Sequence, residues 1–432
     1  MLLLLLGQEY FPVVGEYYVS IDSIESIEGG RYRIIFDGIK SAYFDVLRKR
    51  DFNVDFEELV PYIIYLDIDK SFYDSFFPNI RSRNFTGKWF KLETTEYQTN
   101  FPANISVVDS ETPEFSPVFI KSISYYERNE PIHKELSGVF SFKNFERSNS
   151  NKIEKHLDNL WRHPETIHKL NVYNVGQGSL AAVTDENNLP LFYFDLGGAW
   201  WIFPKSYPTS LKLCFSHTKT VIISHWDLDH IETARRLLYN KSNSLSGISW
   251  IAPKQTISPY YLKIAAKMKS TGRLLLWSGN QSRRINFWAG ALLKCNGPDK
   301  NHSGLALLVE SKNNTIEKVL HPGDAAYQHI PGFQKINLDG LVATHHGANF
   351  DVNNSPIPQT TDGAIAYSHG NKYGHPTAKS VSDHHNAGWT GKRETFAGKI
   401  SIGGNISFTK KPCHMKVPCL GSKCDLTISQ IF

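Results

Sequence analysis

Apolar residues along this chain fall into short runs, and the way those runs alternate with polar ones changes once. Up to about residue 160, strand-like stretches such as "RYRIIF", "PYIIYLDI", "ISVVDS" and "PVFIKSISYY" are separated by Asn, Pro, Gly and charged residues. No cluster of His, Asp, Glu or Cys stands among them. Residues 1–160 therefore read as a β-rich accessory or interaction domain. The polar stretch "ERSNSNKIEKHLDNLWRHPE", residues 146–165, predicts a boundary with a short helix inside it.

Beyond it, strands alternate with helices. "KLNVYNVGQG", "LFYFDLGGAW" and "TVIISH" read as strands running into turns. "DHIETARRLL" places Ile231, Ala234, Leu237 and Leu238 on one helical face, and "PYYLKIAAKMKS" opens a second helix with Pro259. Further strands follow at "GLALLVES", "EKVLHPG", "LDGLVATHHG" and "GAIAYSHG". Residues 161–408 thus form a layered α/β domain, followed by a tail over 409–432.

Composition narrows the classes. A chain of 432 residues exceeds the usual single-domain range, and 41% hydrophobic with 13% aromatic residues supplies enough apolar surface to exclude a mainly disordered chain. The formal charge of +5 suits a phosphate-bearing partner without the basicity of a dedicated nucleic-acid coat. "MLLLLLGQEYFPVV" has no basic residue ahead of its leucines and no small-residue cleavage site, and no segment is long enough to span a membrane. With five cysteines, an odd number, the expectation is a soluble cytoplasmic protein with no membrane partner.

The chemistry concentrates where strands end. "VIISHWDLDHIETARRLL" sets His225, Asp227, Asp229 and His230 within six positions between a strand and a helix. His225 and Asp227, two apart on extended backbone, face the same way, and Asp229 and His230 follow at the helix start. Asp324 follows the strand of "VLHPGD", His345 and His346 that of "LVATHHGA", and His375 lies in "YSHGNKYGHP". Loops at one rim of a sheet are where sites are built, so these residues predict a single metal centre.

The ordered set "VGQGS", "FDLGG", "SHWDLDH", "HPGD", "THHGA" and "GNKYGHP" resembles the metallo-β-lactamase fold, and within it the hydrolase domain of ComEC-type DNA-uptake proteins. The resemblance spans about residues 168–405. It implies an αββα sandwich with two divalent ions, zinc or manganese, at one edge of the sheets. His225 and Asp227 would then bind the first ion, Asp229 and His230 the second, Asp324 would bridge them, and His375 would complete the second shell. Three departures stand out. Gly178-Ser179 replaces the usual G-D, "DHIE" replaces D-H-x-G-G, and the first ion's remaining ligand has two candidates, His302 in "NHSGLALL" and His345. Asp229, His346 and Lys372 are the catalytic candidates, the last two placed with Tyr373 to contact an anionic substrate or protonate a leaving group.

The implied activity is metal-assisted hydrolysis, in which paired divalent ions activate water and polarise a phosphoryl or carbonyl oxygen. Asp227, where many relatives carry His, hardens the first site and makes manganese a competitor to zinc. A DNA nuclease or phosphodiesterase is the leading reading. The alternatives are hydrolysis of a nucleotide or other small ester, and a non-catalytic metal-binding subunit of a nucleic-acid-processing or defence complex, with residues 1–160 recruiting a protein partner. A flavo-diiron oxidoreductase is disfavoured because no flavodoxin-sized segment follows the fold. In the tail, Cys413, His414, Cys419 and Cys424 lack the spacing of paired C-x2-C modules, though Cys413, Cys419 and Cys424 remain candidates for a small structural zinc site.

Overall fold

The computed structural model describes residues 13–27, 30–49, 54–77, 85, 87–109, 113–160, 169–176, 178–185, 189–199, 210–215, 218–240, 245–313, 315–359, 364–367, 374–394, 405–408, 413–415 and 426–429. It divides into two units, residues 1–141 with 257–263, and residues 142–256 with 264–432. Among the described residues no helix is long and apolar enough to cross a membrane.

The first unit is a closed antiparallel barrel. Its strand order is Gly15–Ile27, Arg31–Lys40, Tyr62–Asp69, Pro102–Val107, Ser116–Tyr126 and Trp89–Thr95, which returns to the first strand with Gly15 opposite Thr94. Alternation along the strands turns Tyr17, Val19 and Ile21, Ile34 and Phe36, and Phe90 and Leu92 into one core. Closure leaves no strand edge unpaired. Asp37, fully buried, accepts hydrogen bonds from the Ser258 hydroxyl and the Tyr260 amide, and so holds the first residues of the helix Pro259–Thr271.

The second unit is mixed α/β. One sheet runs Cys413–Met415, Asn405–Phe408, Lys169–Val172, Leu180–Thr184, Pro190–Leu196, Thr220–Ile222, Ile248–Pro253, Gly272–Trp277 and Arg147–Ser148. A second runs Arg284–Phe287, Gly290–Lys294, Leu305–Asn313, Thr315–His321, Gly340–Val342, Ala364–Tyr367 and Gly391–Glu394. Val183, Phe192, Phe194 and Ile222 of the first share a core with Leu305, Leu307 and Val309 of the second. The intervening Ala306 and Leu308 point to the opposite face, into a core with Tyr327, Phe333 and Trp389.

The helix Leu228–Tyr239 packs against Pro190–Leu196. The sequence predicts an amphipathic helix here, but its polar side is buried as well. Glu232 receives hydrogen bonds from Arg235 and Arg236 at 2.8–2.9 Å, so its buried carboxylate is paired with guanidinium groups rather than with water.

Candidate metal centre

Every described candidate near the centre follows a strand: Thr220–Ile222 leads into the His225 loop, Thr315–His321 into Asp324, and Gly340–Val342 into His345 and His346. The first loop is held by glycines. A Cβ on Gly197 would lie 1.9 Å from the Asp229 carbonyl oxygen, and one on Gly178, at φ +147°, 2.6 Å from it. That close approach lets the Ser179 and Gly198 amides each donate to the Asp229 carbonyl at 3.0 Å. The glycines of "VGQGS" and "FDLGG" therefore pin the backbone that carries Asp229.

Asp195, the acid of "FDLGG", organises the interior. One oxygen accepts from the Ser224 amide at 2.6 Å, and the other accepts from the Ser224 hydroxyl and from His230 Nδ1, both at 2.8 Å. With its proton given to Asp195, the Ser224 hydroxyl accepts from His225 Nδ1 at 3.0 Å. Both imidazoles thus use Nδ1 as a donor and turn Nε2 to the centre. Neither Nε2 has a hydrogen-bond partner, although both are buried. His230 Nε2 lies 3.0 Å from Asp324 Oδ1, but not at hydrogen-bond geometry.

The ligand atoms of His225, His230 and Asp324 lie within 4.8 Å of one another, as do those of Asp229, His230 and His346. His346 Nε2 is 3.1 Å from Asp229 Oδ2, and His345 Nε2 is 3.4 Å from Asp324 Oδ2. Burial alone raises a carboxylate pKa, yet His230 and its neighbours hold Asp229 and Asp324 below the usual range, fully ionised. Burial likewise lowers an imidazole, yet Asp324, Asp195 and Asp229 raise His230 well above its ordinary value. Nε2 of His230 is a strong site for positive charge. Buried imidazole nitrogens facing ionised carboxylates suit a divalent cation, which would take the place of the proton on His230.

Backbone strain concentrates in the same place. Among the described residues, the non-glycines at positive φ are Asp195 (60°), His345 (47°) and His346 (54°), all in this cluster. Such conformations cost on the order of 1–3 kcal/mol each and gather at functional sites.

Other candidates lie differently. Asp227 joins neither three-residue group. It caps the helix, accepting from the Leu228 amide at 3.0 Å, and its Oδ2 lies 3.8 Å from His225 Nε2 and 3.6 Å from Lys300 Nζ. His302 does not reach the centre: its Nδ1 pairs with Asp299 at 2.7 Å and its ring packs on His329. His375 approaches His345, with ring centroids 5.6 Å apart, but joins neither group. Lys372 and Tyr373, and Cys419 and Cys424 of the candidate zinc site, lie outside the described residues, as do the side chains of Cys413 and His414.

No family model and no curated protein matches this chain. Among solved structures, the metallo-beta-lactamase fold protein YhfI from Bacillus subtilis is matched at a TM-score of 0.35 and 13% identity, over 56% of this chain and 100% of that one.

Three residues escaped the reading of the sequence. Asp195 carried a signal, an acid closing the apolar run "LFYF", although an Asp before two glycines also reads as an ordinary turn. His321, in "HPGD", carries no signal of its own beyond its place at the end of a strand. It packs on Phe194 and accepts from the Gly323 amide, and burial pushes its pKa down to about 4. Lys300 carried no signal in the local pattern.

Proposed function

We propose that this chain is a metal-dependent hydrolase of the metallo-β-lactamase type, its two sheets forming an αββα sandwich, and that it cleaves phosphodiester bonds in DNA. The observation that carries the reading is the convergence of the buried His225 and His230 Nε2 atoms, neither with a hydrogen-bond partner, on ionised Asp229 and Asp324. A divalent cation bound there supplies an activated water and polarises the phosphoryl oxygen.

Asp195 and Ser224 set the tautomers and orientation of His230 and His225, the role that outer partners of metal-binding histidines play. Asp229, His230, Asp324 and His346 hold the cation, so that His346 acts as a ligand rather than as the acid named from the sequence. His345, 40% exposed and 3.4 Å from Asp324, is left at the open side of the cluster, placed to contact the substrate. Lys300 and Lys372 favour an anionic substrate. DNA is supported by the ordered ComEC-like motifs and the mild positive charge. The barrel unit, residues 1–141 with 257–263, recruits a partner, a role assigned by analogy with other accessory domains.

The test is incubation of the purified chain with single- and double-stranded DNA, RNA, cyclic dinucleotides and a chromogenic phosphodiester, in Mn²⁺, Zn²⁺ or Mg²⁺ and in chelator. Metal-dependent cleavage of DNA that is lost in Asp324→Ala is the expected result. Cleavage of the small substrates alone would move the assignment to a nucleotide hydrolase, and no metal-dependent cleavage of any of them would overturn it.

A further inference from the structure

We propose that the Lys300 ammonium takes the cation position beside Asp227, so that the cluster binds one divalent ion, through His230, instead of the two that the resemblance implies. The inference rests on the metal-dependent reading above and concerns how many ions that site accepts.

The first argument is the lone-pair count at His230. Its Nδ1 is committed to Asp195 at 2.8 Å, which leaves a single lone pair on Nε2. Both three-residue groups include His230. One lone pair serves one ion, so the two groups are alternatives rather than a pair of complete sites. An ion on the Asp229 and His346 side takes His230 and Asp324 Oδ1, and leaves His225 between Asp324 Oδ2 and Asp227.

Asp227 is already paired. Lys300 Nζ stands 3.6 Å from its Oδ2, with the lysine side chain 11% exposed and the aspartate 18%. A surface pair swings freely, but this one is held by its backbone. Gln255 donates from Nε2 to the Lys300 carbonyl at 2.5 Å and to the Ser303 hydroxyl at 2.9 Å, while its Oε1 accepts from the Trp226 amide at 3.4 Å. That one side chain ties the Lys300 turn to the loop between His225 and Asp227. His302, two residues on, is turned to Asp299 and supplies no replacement ligand. A divalent ion binding Asp227 would have to displace this ammonium or stand close to it, against direct like-charge repulsion.

The experiment loads the full chain with Mn²⁺ or Zn²⁺, removes excess ion by desalting, and counts bound metal per chain by mass spectrometry, with calorimetric titration as a second measure. Wild type should bind one ion. Lys300→Met, which keeps the length of the side chain and removes its charge, should bind two by freeing Asp227 to join His225 and Asp324. Asp227→Asn should stay at one, because Asp227 holds no ion in the native chain. Two ions in wild type, a fall in Asp227→Asn, or one ion in a folded Lys300→Met would each overturn the proposal and leave the metal-dependent reading standing. No bound ion in any of the three proteins would overturn both. Should Lys300→Met fail to fold, the wild-type count and Asp227→Asn still decide the matter.

Discussion

His384 and the pair His225 and His230 are equally buried, yet their ring nitrogens are treated in opposite ways. In the helix Ala378–Asn386, His384 Nε2 meets the Tyr327 hydroxyl at 2.8 Å, and Nδ1 meets the Ser380 carbonyl at 2.8 Å and the Tyr367 hydroxyl at 3.0 Å. Each nitrogen is completed by the chain itself. At the loop cluster only the Nδ1 atoms are completed, and both Nε2 atoms lack a hydrogen-bond partner and face carboxylates instead. Leaving a buried polar atom unpaired costs about 1–3 kcal/mol. Burial depresses the pKa to about 4 at His384 and about 3 at His225, while carboxylates raise His230, so a depressed pKa alone does not tell a structural imidazole from a ligand. The difference lies in which atoms the fold leaves open and what charge it sets opposite them.

The strongest way to break this contrast is to remove an open nitrogen. His230→Ala should lose bound metal and fall by orders of magnitude in metal-dependent hydrolysis, while circular dichroism shows it folded. Stabilisation by metal should vanish with it. Wild type at a free metal concentration 100 times Kd should gain about 2.7 kcal/mol, which the variant should not. A variant that retains wild-type metal content would place His230 among the structural histidines.

A smaller effect should come from the group behind it. Asp195→Asn keeps an acceptor for the Ser224 amide but removes the charge that fixes His230 Nδ1. Losing such an outer partner typically costs 10–100-fold in metal affinity. Calorimetric titration with Mn²⁺ should show that weakening with the ion count unchanged. Unaltered affinity would mean that packing alone orients the ring.

The contrast also explains what could be read from the chain. Strands and helices of the second unit stand out because their apolar runs are bounded by Gly, Pro and Asp, and the structure sets Thr220–Ile222, Leu228–Tyr239, Leu305–Asn313 and Gly340–Val342 where those runs fall. The cluster was legible because its residues are ones that chains rarely bury unpaired. Closure of the barrel was not legible, since it depends on Gly15 meeting Thr94, far apart in sequence, and no local pattern encodes that pairing. Nor were Asp195 and Lys300, whose roles arise from contacts with Ser224, His230 and Asp227 across different loops. Residue type betrays a ligand more readily than it betrays whatever orients or competes with one.

The smallest expected effect sharpens the structural half of the contrast through pH. His384 has a folded pKa near 4, depressed by burial, against an ordinary value of 6.5. Below about 6.5 the unfolded chain takes up a proton that the folded chain refuses, so the unfolded state binds more protons and stability falls as pH falls. The contribution is complete above the unfolded value and is lost progressively down to the folded one. One pKa unit corresponds to 1.36 kcal/mol, so lowering the pH from 6.5 to 5.5 should remove about 1 kcal/mol through this residue. His384→Asn keeps a polar side chain but no titration. Denaturant melts of both proteins at the two pH values, in chelator, isolate the effect, because the depressed imidazoles of His225, His321 and His375 contribute equally to each and cancel in the difference. Wild type should lose about 1 kcal/mol more than the variant over that interval. Equal losses would mean that His384 is protonated within its Tyr327 and Tyr367 network, and that the core tolerates a charge there which the chain's own hydroxyls have absorbed.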